Sequence, residues 1–167
     1  MRLIDPLLME FDREASTTRK LLERLPDAKL SWAPHAKSFT LARLAKHLAT
    51  LPGWIAGTLL ADGFDLGTAP PPGEPPRATV EILKAFDENV GNAKAALAQL
   101  DDTRAMAAWT LSMNGKTLMQ MPRIAFVRTI LLNHSIHHRG QLSVYLRLLD
   151  VPVPPMYGPT ADEDPFR

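Results

Sequence analysis

Proline limits where helices can run in this chain, because it lacks a backbone N–H and its ring clashes with the preceding turn of a helix. The 167-residue sequence contains 15 prolines, and most of them fall in two clusters, one between residues 70 and 76 and one between residues 152 and 165. We therefore interpret 67–78 as a linker and 151–167 as an extended tail, both within a single domain that spans residues 1–167. Long helices are expected only outside these two segments.

Four segments outside the proline clusters have apolar residues at helical spacing. They run from about Pro6 to Leu25, from about Leu41 to Leu60, from about Val80 to Leu100 and from Pro122 or Arg123 to about Leu149. The expected N-cap residues of the first three are Asp5, Thr40 and Thr79. Pro52 lies inside the second segment and predicts a kink there. Four long amphipathic helices with one long connection predict an all-α fold, a four-helix bundle.

A short hairpin is expected between the third and fourth helices. Asn114-Gly115 separates two short β-prone runs that begin at Trp109. This dipeptide favours a type I′ turn, which needs a positive φ at both central residues.

Composition excludes several classes of function. The chain has 19 Lys and Arg against 18 Asp and Glu, whereas nucleic-acid-binding domains usually show a clear basic excess. It contains no cysteine, which excludes disulfides, iron–sulfur clusters and a cysteine nucleophile. No run approaches the ~20 apolar residues of a membrane span, and no signal peptide is apparent. We expect a cytoplasmic protein with no nucleic-acid or membrane partner.

Three of the five histidines, His134, His137 and His138, lie close together in the fourth helix. At about 100° per residue, His134 and His138 are about 40° apart and share the face that holds Val127 and Leu131. Two imidazoles at positions i and i+4 can bind the same metal ion. His134 and His137, at i and i+3, are a less regular alternative pair.

His47 is the natural candidate for a third ligand, because it shares the inward face of the second helix with Leu44 and Leu51. We therefore predict a divalent-metal site formed by His47, His134 and His138. The alternative for each histidine is a core residue whose ring is hydrogen-bonded to a carbonyl. Nearby residues expected to line a pocket are Gln141, Tyr145 and Trp54.

The sequence resembles the DinB / YfiT-like family over nearly its whole length. The resemblance lies in His138-Arg-Gly-Gln-Leu preceded by His134, in Leu-Ala-Lys-His47-Leu, in Leu30-Ser-Trp-Ala-Pro-His35 and in the tail from Val153 to Glu163. It implies a bundle with up-down-down-up topology, usually a homodimer. It also implies a zinc or nickel ion on three histidines, which match His47, His134 and His138 by position.

Some members of the wider superfamily transfer low-molecular-weight thiols such as bacillithiol or mycothiol. Three histidines leave a metal position open, and a thiol bound there would be held as its thiolate. The leading hypothesis is therefore a transferase that moves a small thiol onto an electrophilic small-molecule substrate. One alternative is a metal-hydroxide hydrolase, with Asp162 or Glu163 of the tail folded back as a base. The other is a non-catalytic, metal-binding, stress-associated dimer.

Overall fold

The computed structural model, which describes residues 1–166, contains four main helices. They are α1 (Asp5–Leu22), α2 (Leu41–Thr58), α3 (Thr79–Ala98) and α6 (His134–Leu148), with two short helices α4 (Asp102–Met106) and α5 (Arg123–Phe126). A π-helical stretch, Val127–Asn133, joins α5 to α6. The predicted helical bundle is confirmed, but the fourth predicted helix is three consecutive elements rather than one uniform helix.

The helix starts agree with the predictions to within one residue. Thr40 is the N-cap of α2, and its hydroxyl accepts a hydrogen bond from the Arg43 amide at 3.3 Å. Asp5 and Thr79 were expected as N-caps and are instead the first residues of their helices. Their side chains have other partners: Asp5 accepts from the Arg2 amide at 2.8 Å, and Thr79 donates to the Leu25 carbonyl at 3.0 Å.

A three-stranded sheet lies beside the helices. Its strands are β1 (Gly63–Asp65), β2 (Ala108–Met113) and β3 (Lys116–Pro122), in that order, with β1 parallel to β2 and β2 antiparallel to β3. Asn114 and Gly115 connect β2 to β3 with φ of 51° and 78°, as a type I′ turn requires. The predicted hairpin is confirmed, and β1 is an addition that the sequence did not indicate.

Asp65 ties the start of the linker to the hairpin turn. Its carboxylate accepts hydrogen bonds from the backbone amides of Gly115 at 2.7 Å, Gly67 at 2.7 Å and Asn114 at 2.8 Å. These bonds hold the pKa of Asp65 below its usual value, the Gly115 amide having the largest effect. The chain is therefore fixed at Asp65 before it enters the proline-rich linker.

Helices α2 and α3 approach closely near Pro52. A Cβ on Gly53 would lie 2.0 Å from Oδ1 of Asn89, so any other residue there would displace the Asn89 side chain. Asn89 donates from Nδ2 to the Ala49 carbonyl at 3.0 Å. This carbonyl neighbours the one at residue 48, which receives no helical hydrogen bond because residue 52 is a proline and has no N–H. Helix α2 continues through Pro52 to Thr58. No helix within residues 1–166 is both long and apolar enough to cross a membrane.

A buried ion pair joins α6 to α1. The guanidinium of Arg139 is 1% exposed and donates to Oε2 of Glu14 at 2.6 Å and to the Glu14 carbonyl at 3.1 Å. Tyr157 of the tail donates its hydroxyl to the same carboxylate at 2.8 Å. Arg139 therefore links α6 to α1 on the side of α6 away from the histidines.

Substitution of Glu14 by Gln should strongly destabilise the fold, because it leaves the charge of Arg139 buried without a carboxylate. We expect the free energy of unfolding to fall by about 3–5 kcal/mol, measured by urea denaturation. Glu10→Gln is the matched control, since it removes the more exposed pair with Arg128 from the same helix and should cost about 1 kcal/mol or less. Equal losses in the two variants would contradict the role assigned to the buried pair.

Candidate metal centre

The three histidines that were predicted as metal ligands lie close together between α2 and α6. Nε2 of His47 lies 2.9 Å from Nε2 of His134, which in turn lies 3.1 Å from Nε2 of His138. Each residue offers one nitrogen to a common point, and these atoms all lie within 4.8 Å of one another. The rings meet edge to face, with centroids 4.4–5.2 Å apart. His137 is exposed and lies outside this cluster.

The chemistry of the cluster fits a divalent cation. Burial, with the proximity of His138, His134 and Arg43, lowers the pKa of His47 to about 4. Burial likewise lowers the pKa of His134 and of His138. All three rings are therefore neutral near pH 7, the state in which imidazole binds metal. Tetrahedral zinc with Zn–N bonds of about 2.05 Å would separate the nitrogens by about 3.3 Å, close to the observed spacing.

Gln141 orients the ring of His138. Its Oε1 lies 2.7 Å from Nδ1 of His138. A carbonyl oxygen only accepts hydrogen bonds, so Nδ1 must donate the proton and Nε2 keeps its lone pair for a metal. Gln141 was predicted to line a pocket. The structure places its side chain against Nδ1 of His138, the ring nitrogen that does not face the cluster.

Two open clefts meet at His47 and Thr50. The apolar cleft, of about 400 Å³, is lined by His47, Thr50, Leu51, Trp54, Leu66, Ile130 and His134. The proline cleft, of about 420 Å³, is lined by Phe39, Arg43, Lys46, His47, Thr50, Pro70, Pro71, Pro72 and Gly73. No Asp or Glu within residues 1–166 lines either of them. A small molecule can thus reach His47 from two sides, past walls of different chemistry, and His134 from the apolar cleft.

The π-helical stretch positions the first residues of the site. It ends at Asn133, immediately before His134, and provides Ile130 to the apolar cleft. A π-helix closes its hydrogen bonds from i to i+5, so it changes the rotation of the residues that follow relative to an α-helix. Such stretches are frequent at functional sites. Val127 and Leu131 are nevertheless buried, as the predicted apolar face requires.

The other predicted pocket residues have different positions. Trp54 lines the apolar cleft, with its ring edge-on to Phe64 at 5.5 Å. Tyr145 lines neither cleft; its hydroxyl donates to the Phe39 carbonyl at 3.2 Å and its ring contacts Trp32. Tyr145 therefore supports the loop that leads into α2.

The tail carboxylates considered as a possible base have partners of their own. Asp162 pairs with Arg147 and accepts from the Val153 amide at 2.9 Å. Glu163 pairs with Arg24, which follows the end of α1, at 2.6 Å. Neither belongs to the histidine cluster.

Sequence reasoning missed several residues of the clefts. Arg43 lies one helical turn before His47, and this i, i+4 spacing was the signal available for it. Pro70–Pro72 belong to the segment 67–78 that was interpreted as a linker, and Leu66 directly precedes it. The structure instead uses the linker as a wall of the site, a packing that no local pattern in the sequence indicates.

Comparison with known proteins agrees with this architecture. The profile of the DinB family matches residues 3–164. The chain belongs to the DinB family. It is 27% identical over 161 residues to YrdA of Bacillus subtilis strain 168, a protein described as uncharacterized, and the match covers 96% of this chain and 91% of YrdA.

Solved structures of DinB-like proteins share the fold. A DinB-like protein from Bacillus cereus ATCC 10987 superposes with a TM-score of 0.69 at 28% identity, over 90% of this chain and 95% of that one. The DinB-like protein YjoA from Bacillus subtilis gives a TM-score of 0.69 at 18% identity, over 92% and 97% of the two chains. At that lower identity the likeness shows the fold alone.

The metal content of variants tests the histidine cluster. Protein purified without a nickel column and then exposed to zinc should hold about one ion per chain, because three neutral imidazoles converge on one point. His138→Ala should lose most of this metal in elemental analysis. His137→Ala is the matched control, since it removes the adjacent exposed imidazole, and it should retain the metal. Equal retention in both variants would exclude His138 as a ligand.

The bond from His138 to Gln141 predicts a second effect on metal affinity. Gln141→Ala should weaken zinc binding about 10- to 100-fold, because the tautomer and orientation of His138 are no longer fixed. Gln141→Glu retains an oxygen acceptor and should bind zinc at least as well as the wild type. Competition with a chromophoric chelator measures both affinities, and an unchanged affinity in Gln141→Ala would refute the orienting role.

Proposed function

We propose that this protein is a metal-dependent transferase that moves a low-molecular-weight thiol onto an electrophilic small molecule. The observation that supports this most directly is the cluster of three neutral imidazoles, His47, His134 and His138, in which His47 lies where two open clefts meet. The cluster contains only three ligand groups, whereas structural zinc sites use four. Room for an exogenous ligand is therefore part of the arrangement.

The ligand set suits a thiol cosubstrate. Neutral histidines do not reduce the charge of a bound divalent ion, which would therefore hold a thiol as its thiolate near neutral pH. The chain has no cysteine, so the sulfur nucleophile must come from a small molecule. For a thiol with a pKa of about 8.5, complete ionisation at pH 7 raises the thiolate fraction by about 30-fold.

In the proposed reaction the thiol gives its proton to solvent, and its sulfur forms a bond to an electrophilic carbon. The leaving group departs from that carbon with the bonding electron pair. The protein's own groups position the reactants: His47 and His134 face both the cluster and the apolar cleft, and Trp54 and Ile130 offer an apolar surface to the electrophile. These walls exclude water from one side of the reacting carbon.

The hydrolase alternative has less support. A carboxylate beside the histidines would serve it as a general base, and none of the residues 1–166 that line the two clefts is Asp or Glu. The tail carboxylates Asp162 and Glu163 are engaged with Arg147 and Arg24. The thiol reaction needs no such base, because a bound divalent ion would itself favour the thiolate near neutral pH.

The proposed partners follow from this chemistry. The cofactor is a divalent ion, zinc or nickel, since imidazole suits both. The substrates are a small thiol and an electrophile. We also propose a homodimer in the cytoplasm, on the strength of the resemblance described above, with gel filtration as its measurement.

A direct assay tests the transferase. Zinc-loaded protein is mixed with cysteine as the thiol and 1-chloro-2,4-dinitrobenzene as the electrophile, and formation of the thioether is followed by absorbance. Wild type and His137→Ala should accelerate the reaction by about 30-fold or more over the thiol alone at pH 7, whereas His138→Ala should not. If zinc binds and raises the melting temperature but no thiol and electrophile pair reacts faster, the non-catalytic metal-binding alternative is favoured.

A further inference from the structure

Arg43 presents a positive charge to the proline cleft. Its guanidinium lies 3.9 Å from the centroid of the Phe39 ring, and its side chain is exposed. Within residues 1–166 it forms no ion pair with a carboxylate. Stacking on Phe39 holds the guanidinium plane while its N–H groups stay available.

Lys46, in the same cleft, has a different role. Its ammonium donates to the carbonyls of Gly73 at 2.6 Å and Glu74 at 2.7 Å, so it fastens the proline-rich linker to α2. These acceptors are neutral, and the positive charge of Lys46 is not cancelled there. The cleft therefore has two cations and no acidic lining residue.

One face of α2 passes from charged to apolar. Arg43, His47, Leu51 and Trp54 follow one another at intervals of three or four residues, which places them along one side of the helix. Arg43 and Trp54 are eleven positions apart, which is about 16 Å along the helix at 1.5 Å per residue. The histidine cluster lies between the charged end and the apolar end, where the two clefts meet.

We propose that Arg43 binds the carboxylate of the thiol cosubstrate, so that the site selects anionic thiols and places the electrophile in the apolar cleft. The guanidinium fork matches a carboxylate in a bidentate manner, a geometry that a lysine cannot provide. The inference rests on the proposed function where it places the sulfur at the histidines. The binding of a carboxylate at Arg43 stands on the geometry of the proline cleft.

The test compares a charged and an uncharged thiol on cobalt-loaded protein. Cobalt replaces zinc because the absorption band of a cobalt–thiolate bond reports binding without any turnover. The probes are 3-mercaptopropionate and 2-mercaptoethanol. Arg43→Gln should weaken binding of 3-mercaptopropionate by about tenfold or more and leave binding of 2-mercaptoethanol unchanged. Each thiol is compared between Arg43→Gln and the wild type, so the intrinsic difference in cobalt affinity between the two thiols does not affect the result.

Arg13→Gln is the matched control. Arg13 is an exposed arginine on α1 that lines a separate cleft under the tail, and its substitution should change neither dissociation constant. The proposal is overturned if Arg43→Gln weakens both thiols equally or weakens neither.

A second measurement separates this inference from the proposed function. If neither thiol gives an absorption band, thiol chemistry at the cluster fails, and the anion site is tested alone by calorimetry with 4-phenylbutanoate and 4-phenylbutanol. Tighter binding of the carboxylate that is lost in Arg43→Gln and kept in Arg13→Gln supports the anion site. Equal binding of acid and alcohol, or no dependence on Arg43, overturns it.

Discussion

The buried ion pair of Arg139 with Glu14 fixes the rotation of the helix that supplies two of the three histidines. A charge taken out of water costs several kcal/mol unless a partner and hydrogen bonds compensate it. Arg139 must therefore face α1, where Glu14 and Thr18 accept its N–H groups. His138 is the preceding residue, about 100° around the helix. With Arg139 held against α1, His138 and His134 point toward α2.

The site depends in turn on how the long connection after α2 is held. Asp65 binds three backbone amides around the hairpin turn, and Lys46 binds two linker carbonyls farther on. Between these two attachments the prolines cannot form a helix and remain extended. The segment therefore lies along α2 and forms a wall of the proline cleft beside His47. A flexible linker of the same length would lose more conformational entropy on taking that position, because the prolines already restrict the backbone of the unfolded chain.

Patterns with a fixed period were predictable, and contacts between distant segments were not. The apolar spacing of the helices, the Asn114-Gly115 turn and the i, i+4 pair His134 and His138 all follow from local geometry. Strand β1 has three residues, too few to show an alternation, and its pairing with β2 comes from distant parts of the chain. The π-helical stretch has no composition of its own, since i→i+5 bonds form where packing requires one extra residue in a turn.

The neutral histidine cluster and the cationic proline cleft both favour the binding of an anionic thiol. The whole chain has a formal net charge of only +1, so attraction of an anion cannot come from the overall field of the protein. It must arise locally, within a Debye length of about 8 Å. Arg43 lies one helical turn from His47, about 6 Å along α2, inside that range. Three imidazoles add no negative charge to oppose it. An anionic thiol would therefore meet favourable potential both at its carboxylate and at its sulfur, whereas a carboxylate ligand in place of any histidine would weaken both.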